Sequence, residues 1–165
     1  MTRIPLVKDW GYIPYLAFAS AAILVSIMDF VLLQHLQLQT SIFFLSGIPL
    51  LMLALYIRVR ARIEVRRAGF ESLLSTGRLQ IVREHKLIKD GLYKHIRHPL
   101  YLGEMMRNVA FPLIFSSLIG SIFAVISIVV LLFRIKVEEK MLGDHFGEEY
   151  EEYRRKTKKL VPYVY

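Results

Sequence analysis

Four apolar stretches, parted by polar or charged segments, set the pattern of this chain. Ile13 to Leu33 is apolar over about 21 residues, enough for one helix to cross the ~30 Å hydrocarbon layer of a bilayer. Asp29, near its end, is the one ionisable group that the pattern places inside a span, and its position there fits an interfacial residue. Gln34 to Ser41 is polar without Lys, Arg, Asp or Glu and reads as an outer loop. Ile42 to Ile57 predicts a second span, kinked around Gly47-Ile48-Pro49. Leu100–Phe115 and Leu118–Phe133 predict a transmembrane hairpin that turns at Ser116-Ser117.

The charged segments orient these spans. R-V-R-A-R-I-E-V-R-R, from Arg58 to Arg67, holds five arginines in ten residues and marks a cytoplasmic end. Counting spans from there puts both termini, the segment 58–99 and the tail 134–165 on one face of the membrane. Ala68 to Leu79, with Gly69, Ser75 and Gly77, reads as a connection carrying a short amphipathic helix. In the tail, Leu142, Phe146, Tyr150 and Tyr153 recur at helical spacing, with acids first and bases later as a helix dipole prefers. The expected fold is an all-α integral membrane protein of four spans (about 13–33, 42–57, 100–115, 118–133) with a cytoplasmic helix at the C-terminal end. It forms one membrane domain over 1–165: a helical pair with its connector to residue 77, then the hairpin and tail from 78.

Composition narrows the function classes. The chain is 55% hydrophobic with a mean hydropathy of +0.42, so its net charge of +8 sits beside apolar segments. Anionic lipid headgroups account for that charge better than nucleic acid does. No cysteine is present, which removes disulfides, thiolate metal sites and cysteine nucleophiles. His85, His95 and His98 lack the spacing of a metal site, so no metal is expected. No phosphate-binding glycine loop, serine-hydrolase elbow or zinc-peptidase helix occurs.

Chemistry concentrates in H-K-L-I-K-D-G-L-Y-K-H-I-R-H-P-L-Y-L-G, His85 to Gly103. Pro99 suits the first position of a helix, where its missing N–H is not needed. That helix start offers N–H groups and positive partial charge to an anion, beside His98 and the hydroxyl of Tyr101, and Gly103 admits a close approach. At the far end of the hairpin, Arg134 and Glu138 stand at i,i+4 on one face and turn toward the same loop. A pocket with both signs of charge next to lipid suits a zwitterionic cofactor, or a substrate with a polar head and an apolar tail. Glu139 reads as a solvated acid at the membrane border.

These motifs, followed by F-G-E-E-Y-E-E-Y and a terminal L-V-P, resemble the isoprenylcysteine carboxyl methyltransferases and the related membrane phospholipid methyltransferases. The resemblance covers His85 to Pro162 and implies S-adenosylmethionine as cofactor, bound at the cytoplasmic face. It implies that His85, Lys86, Leu87 and Ile88 wall the adenosine, with Tyr93 lining the same pocket. His98, Pro99, Leu100 and Tyr101 would hold the amino-acid end, Glu138 would accept a hydrogen bond from the cofactor, and Arg134 would orient the acceptor. Arg78 aligns with a further cofactor contact. The implied partners are membrane lipids and a lipophilic or prenylated acceptor, most simply an isoprenylcysteine-like carboxylate. Such a carboxylate is already ionised, and no residue need act as a covalent catalyst. A phosphatidylethanolamine amine is the alternative acceptor, and would need Glu138 or a histidine to take a proton. Outside enzymes, a membrane scaffold or a small four-helix transporter fits the same hydropathy.

Overall fold

A computed structural model describes residues 11–32, 42–68 and 87–161 of the chain. Among the described residues are five α-helices: α1 (Tyr12–Leu32), α2 (Ile42–Arg67), α3 (Pro99–Ile114), α4 (Leu118–Phe146) and α5 (Glu148–Lys156). A 3-10 turn, Gly91–Lys94, precedes α3. The expected outer loop 34–41, the connector from residue 69 onward, Arg78, His85, Lys86 and the end from Pro162 lie outside the described residues.

Three of these helices are long and apolar enough to cross a membrane: α1, Phe43–Arg67 of α2, and α4. The expected fourth span is α3, whose 16 residues reach only about 24 Å. It forms the expected hairpin with α4, through a turn in which Ser116 takes φ 51° and Ser117 Oγ accepts the Gly120 N–H at 3.0 Å. Two helices overrun their expected ends. Nothing in the arginine-rich segment breaks a helix, so α2 continues to Arg67 instead of stopping at 57. Likewise α4 runs beyond 133 as far as Phe146. It ends at Gly147, whose φ of 55° is costly for residues with a side chain. The single tail helix expected from Leu142 to Tyr153 is thereby divided between α4 and α5.

Small residues set the packing. Apolar side chains gain little by leaving lipid for protein, so helices in a bilayer associate by close backbone approach. α2 runs antiparallel to α3: Gly47 faces Ala110 and Ile114, and Gly103 faces Ala54 and Arg58. A Cβ on Gly103 would stand 3.0 Å from the Ala54 carbonyl oxygen, so the close approach expected at this glycine is that of α2. α1 runs antiparallel to α4, with Ala22 and Ser26 against Gly120. α3 touches α1, α2 and α4, whereas α1 and α2 share no packed interface. Outward residues such as Leu24, Met28, Met52 and Ile122 are left exposed, as a lipid-facing surface requires. One end of the bundle therefore gathers the start of α1, the close of α2, the start of α3 and the polar half of α4.

Candidate active site

The polar end is built from irregular chain held against helices. Residues 95–98 pair with 158–159 through an isolated parallel bridge, Ile96 to Lys158. The Arg97 N–H donates to Lys158 O at 2.8 Å, the His98 N–H to Lys159 O at 3.1 Å, and the Lys158 N–H to His95 O at 3.0 Å. Arg97 clamps this strap, since Nη1 donates to Thr157 O at 2.6 Å while Nη2 and Nε reach Glu139 Oε1 at 2.8 and 2.9 Å. Lys159 Nζ lies 3.1 Å from the other oxygen of Glu139. Glu139 is thus no solvated border acid: its side chain is 10% exposed and joins α4 to both the motif loop and the tail. Charge-assisted bonds of this kind are worth about twice a neutral one.

Most of the described residues expected in the site converge around that hub. His98 is 3% exposed, with Nε2 3.4 Å from Glu139 Oε1 and its ring edge-on to Tyr101 at 5.7 Å. Pro99 is buried in the first turn of α3, Leu100 is half-buried beside it, and Leu87 and Ile88 are half-buried in the irregular segment leading to the 3-10 turn. Arg134, 6% exposed, lies among the rings of Tyr12, Tyr101 and Tyr15 at 5.3, 5.8 and 6.0 Å, a cation–π cage supplied by α1 and α3. Glu138 Oε2 is buried without a hydrogen-bond partner among the described residues, and so is the Tyr150 hydroxyl. Burial first, and then the nearby Glu138 carboxylate, push the Tyr93 hydroxyl far above the usual tyrosine range. Burial acts likewise on Tyr150 and Tyr153. All three stay neutral donors at physiological pH, and Tyr153 uses its proton on Tyr93 O at 2.7 Å.

A second polar cluster lies between the helices, one turn deeper along α3 than Tyr101. Glu104 pairs with Arg58 of α2 at 2.5 Å and with Arg107 at 2.7 Å, and accepts the Tyr15 hydroxyl proton from α1. Arg107 donates onward to Asn108 Oδ1 at 3.0 Å, and Asn108 Nδ2 to Ser127 Oγ of α4 at 3.0 Å. Asp29 is therefore not alone as an ionisable residue within the bundle. An apolar average over 100–115 hid Glu104 and Arg107, although their i,i+3 spacing on one helix was a visible signal. Charges survive at this depth because α3 is surrounded by protein and each charge has a partner. Arg97, Glu139 and Glu64, whose carboxylate contacts the 3-10 turn, also went unassigned by sequence reasoning. For these the signal was absent, because each partner lies at least 28 residues away along the chain.

The fold and its polar end define a class: a small helical membrane protein whose polar end is built from one loop, one hairpin and one tail. The sequence profile of the isoprenylcysteine carboxyl methyltransferase (ICMT) family matches residues 48–144, and the chain belongs to that family. It is 33% identical to the protein-S-isoprenylcysteine O-methyltransferase of Saccharomyces cerevisiae, over 91% of this chain and 64% of that one. To the Schizosaccharomyces pombe protein of the same name it is 28% identical, over 75% of this chain and 51% of that one. It is also 35% identical to methanethiol S-methyltransferase 1 of Bradyrhizobium diazoefficiens, over 44% of this chain and 25% of that one. The chain thus spans a quarter to about two thirds of the length of these relatives.

Proposed function

We propose that the chain is an S-adenosylmethionine-dependent methyltransferase that works at the cytoplasmic surface of the membrane on a lipophilic acceptor, an isoprenylcysteine-like carboxylate. The observation that carries this reading is the buried oxygen of Glu138, which has no hydrogen-bond partner among the described residues, within electrostatic reach of Tyr93 and at the same end of the bundle as His98 and the caged Arg134. An unmet buried acceptor costs about 1–3 kcal/mol, and a ligand bearing an ammonium or hydroxyl group would recover that. The Tyr150 hydroxyl, likewise without a partner among the described residues, adds a donor within electrostatic reach of Glu138. These groups fit a zwitterionic cofactor. His98, Pro99, Leu100 and Tyr101 would hold its amino-acid end at the start of α3, where the positive end of the helix dipole favours an anion. Tyr93 with His85, Lys86, Leu87 and Ile88 would line the adenosine side.

When bound, the cofactor supplies an electrophilic methyl group. The chain then has to align an acceptor with it and keep water away. Arg134, fixed by three tyrosine rings, would orient an acceptor carboxylate through its planar fork. That carboxylate loses no proton in the reaction, so no general base is assigned. The matching bacterial thiol methyltransferases favour one second reading, a thiol acceptor, which would have to give up a proton. On either reading residues 1–165 form one multi-pass unit surrounded by lipid, with both ends of this stretch on the cytoplasmic side.

The test is binding and transfer with the detergent-purified chain. S-adenosylmethionine should bind, and Glu138→Ala and His98→Ala should each abolish or sharply weaken that binding. A chain that binds none would overturn the proposal. Labelled-methyl transfer to a prenylcysteine analogue, to phosphatidylethanolamine and to a short thiol would then identify the acceptor.

A further inference from the structure

The arginine-rich end of α2 contains a single acid, Glu64. Arginines alone would serve to orient the helix in a bilayer, and the acid weakens that signal. The structure gives it another use. Both oxygens of Glu64 accept the N–H of Leu92, at 3.1 and 3.0 Å, so the overrun of α2 reaches the 3-10 turn that carries Tyr93. Two features favour glycine before Leu92, a strained backbone angle and the Glu64 carboxylate that any side chain there would push aside. Gly91 sits at φ 59°, and a Cβ there would come within 2.8 Å of Glu64 Oε2 and closer still to the rest of the carboxylate. From the opposite side, Tyr93 O receives the Tyr153 hydroxyl of α5. The turn is pinned between α2 and α5, and its Tyr93 lies within electrostatic reach of Glu138.

We propose that Glu64 is a positioning residue for methyl-donor binding: through the Leu92 N–H it fixes the 91–94 turn, and with it Tyr93, against Glu138. This inference rests on the functional reading above and adds a group that touches neither donor nor acceptor. The requirement is an oxygen acceptor at this place, so glutamine should substitute for glutamate and alanine should not.

The experiment measures the Kd of S-adenosylmethionine for the 165-residue chain in detergent, together with thermal unfolding and hydrogen exchange at the Leu92 amide. Glu64→Ala should raise Kd by about tenfold, because binding must then order a turn that the Glu64 carboxylate no longer holds in place. It should also speed exchange at Leu92 and leave the unfolding midpoint nearly unchanged. Glu64→Gln should stay close to wild type in Kd. Gly91→Ala displaces the same turn with Glu64 intact, should weaken binding likewise, and carries the test if Glu64→Ala does not fold. If the wild type binds and Glu64→Ala binds equally well, this inference falls and the functional reading stands. It falls too if Glu64→Gln is as impaired as Glu64→Ala, and a wild type that binds no S-adenosylmethionine overturns both.

Discussion

Glu104 and Glu139 each gather two basic side chains, yet they organise different kinds of structure. Glu104 joins α1, α2 and α3, helices that have satisfied their own backbone hydrogen bonds, and α2 already meets α3 through alanines and glycines. Glu139 joins α4 to two irregular segments, the loop 95–98 and the tail 157–160, which pair with each other through one isolated bridge. The first carboxylate compensates charges that the surrounding helices cannot hydrate. The second gives shape to chain that has little other reason to adopt it. Losing the first should therefore cost stability throughout the bundle, and losing the second should cost order at one end.

The largest expected effect comes from Glu104→Ala, which leaves Arg58 and Arg107 between helices without their counter-charge. Their side chains are 21% exposed, and the loss should be about 3 kcal/mol, read as a lower unfolding midpoint in micelles. Glu104→Gln, which keeps an acceptor for Tyr15, should recover part of it. Glu139→Ala should cost less overall, about 2 kcal/mol, with faster hydrogen exchange confined to 95–98 and 157–160. Equal protection of those segments in the variant would contradict the comparison, as would a global loss exceeding that of Glu104→Ala. The smallest effect belongs to Lys89→Ala. Its 2.7 Å pair with Glu149 is about half exposed on both sides, and the change should stay within about 0.5 kcal/mol.

Hydropathy made α1, α2 and the hairpin legible, because a run of apolar residues has few other places to go. The motif loop was expected at the same face as Arg134 and Glu138 from a count of four crossings, whereas three of the described helices are long and apolar enough to span a membrane. Helix ends were not: arginine continues a helix as readily as leucine does, so charge marked the edge of the apolar run and not the end of α2. Glu139 was misread because an acid beside Glu138 at a membrane border looks the same in sequence whether it is solvated or clamped. Its partner Arg97 is 42 residues away, and only folding brings them together. Glu104 went unread because averaging over 100–115 treats a buried ion pair as noise.

That α1 and α2 share no packed interface bears on how the chain is made. Synthesis starts at the N-terminus, so both helices reach the bilayer before either has its neighbour: α2 waits for α3, and α1 for α4. Until the hairpin arrives, Arg58 also lacks Glu104. Before the hairpin is made, α1 and α2 thus have no packed partner, and the arrival of α3 and α4 completes the bundle.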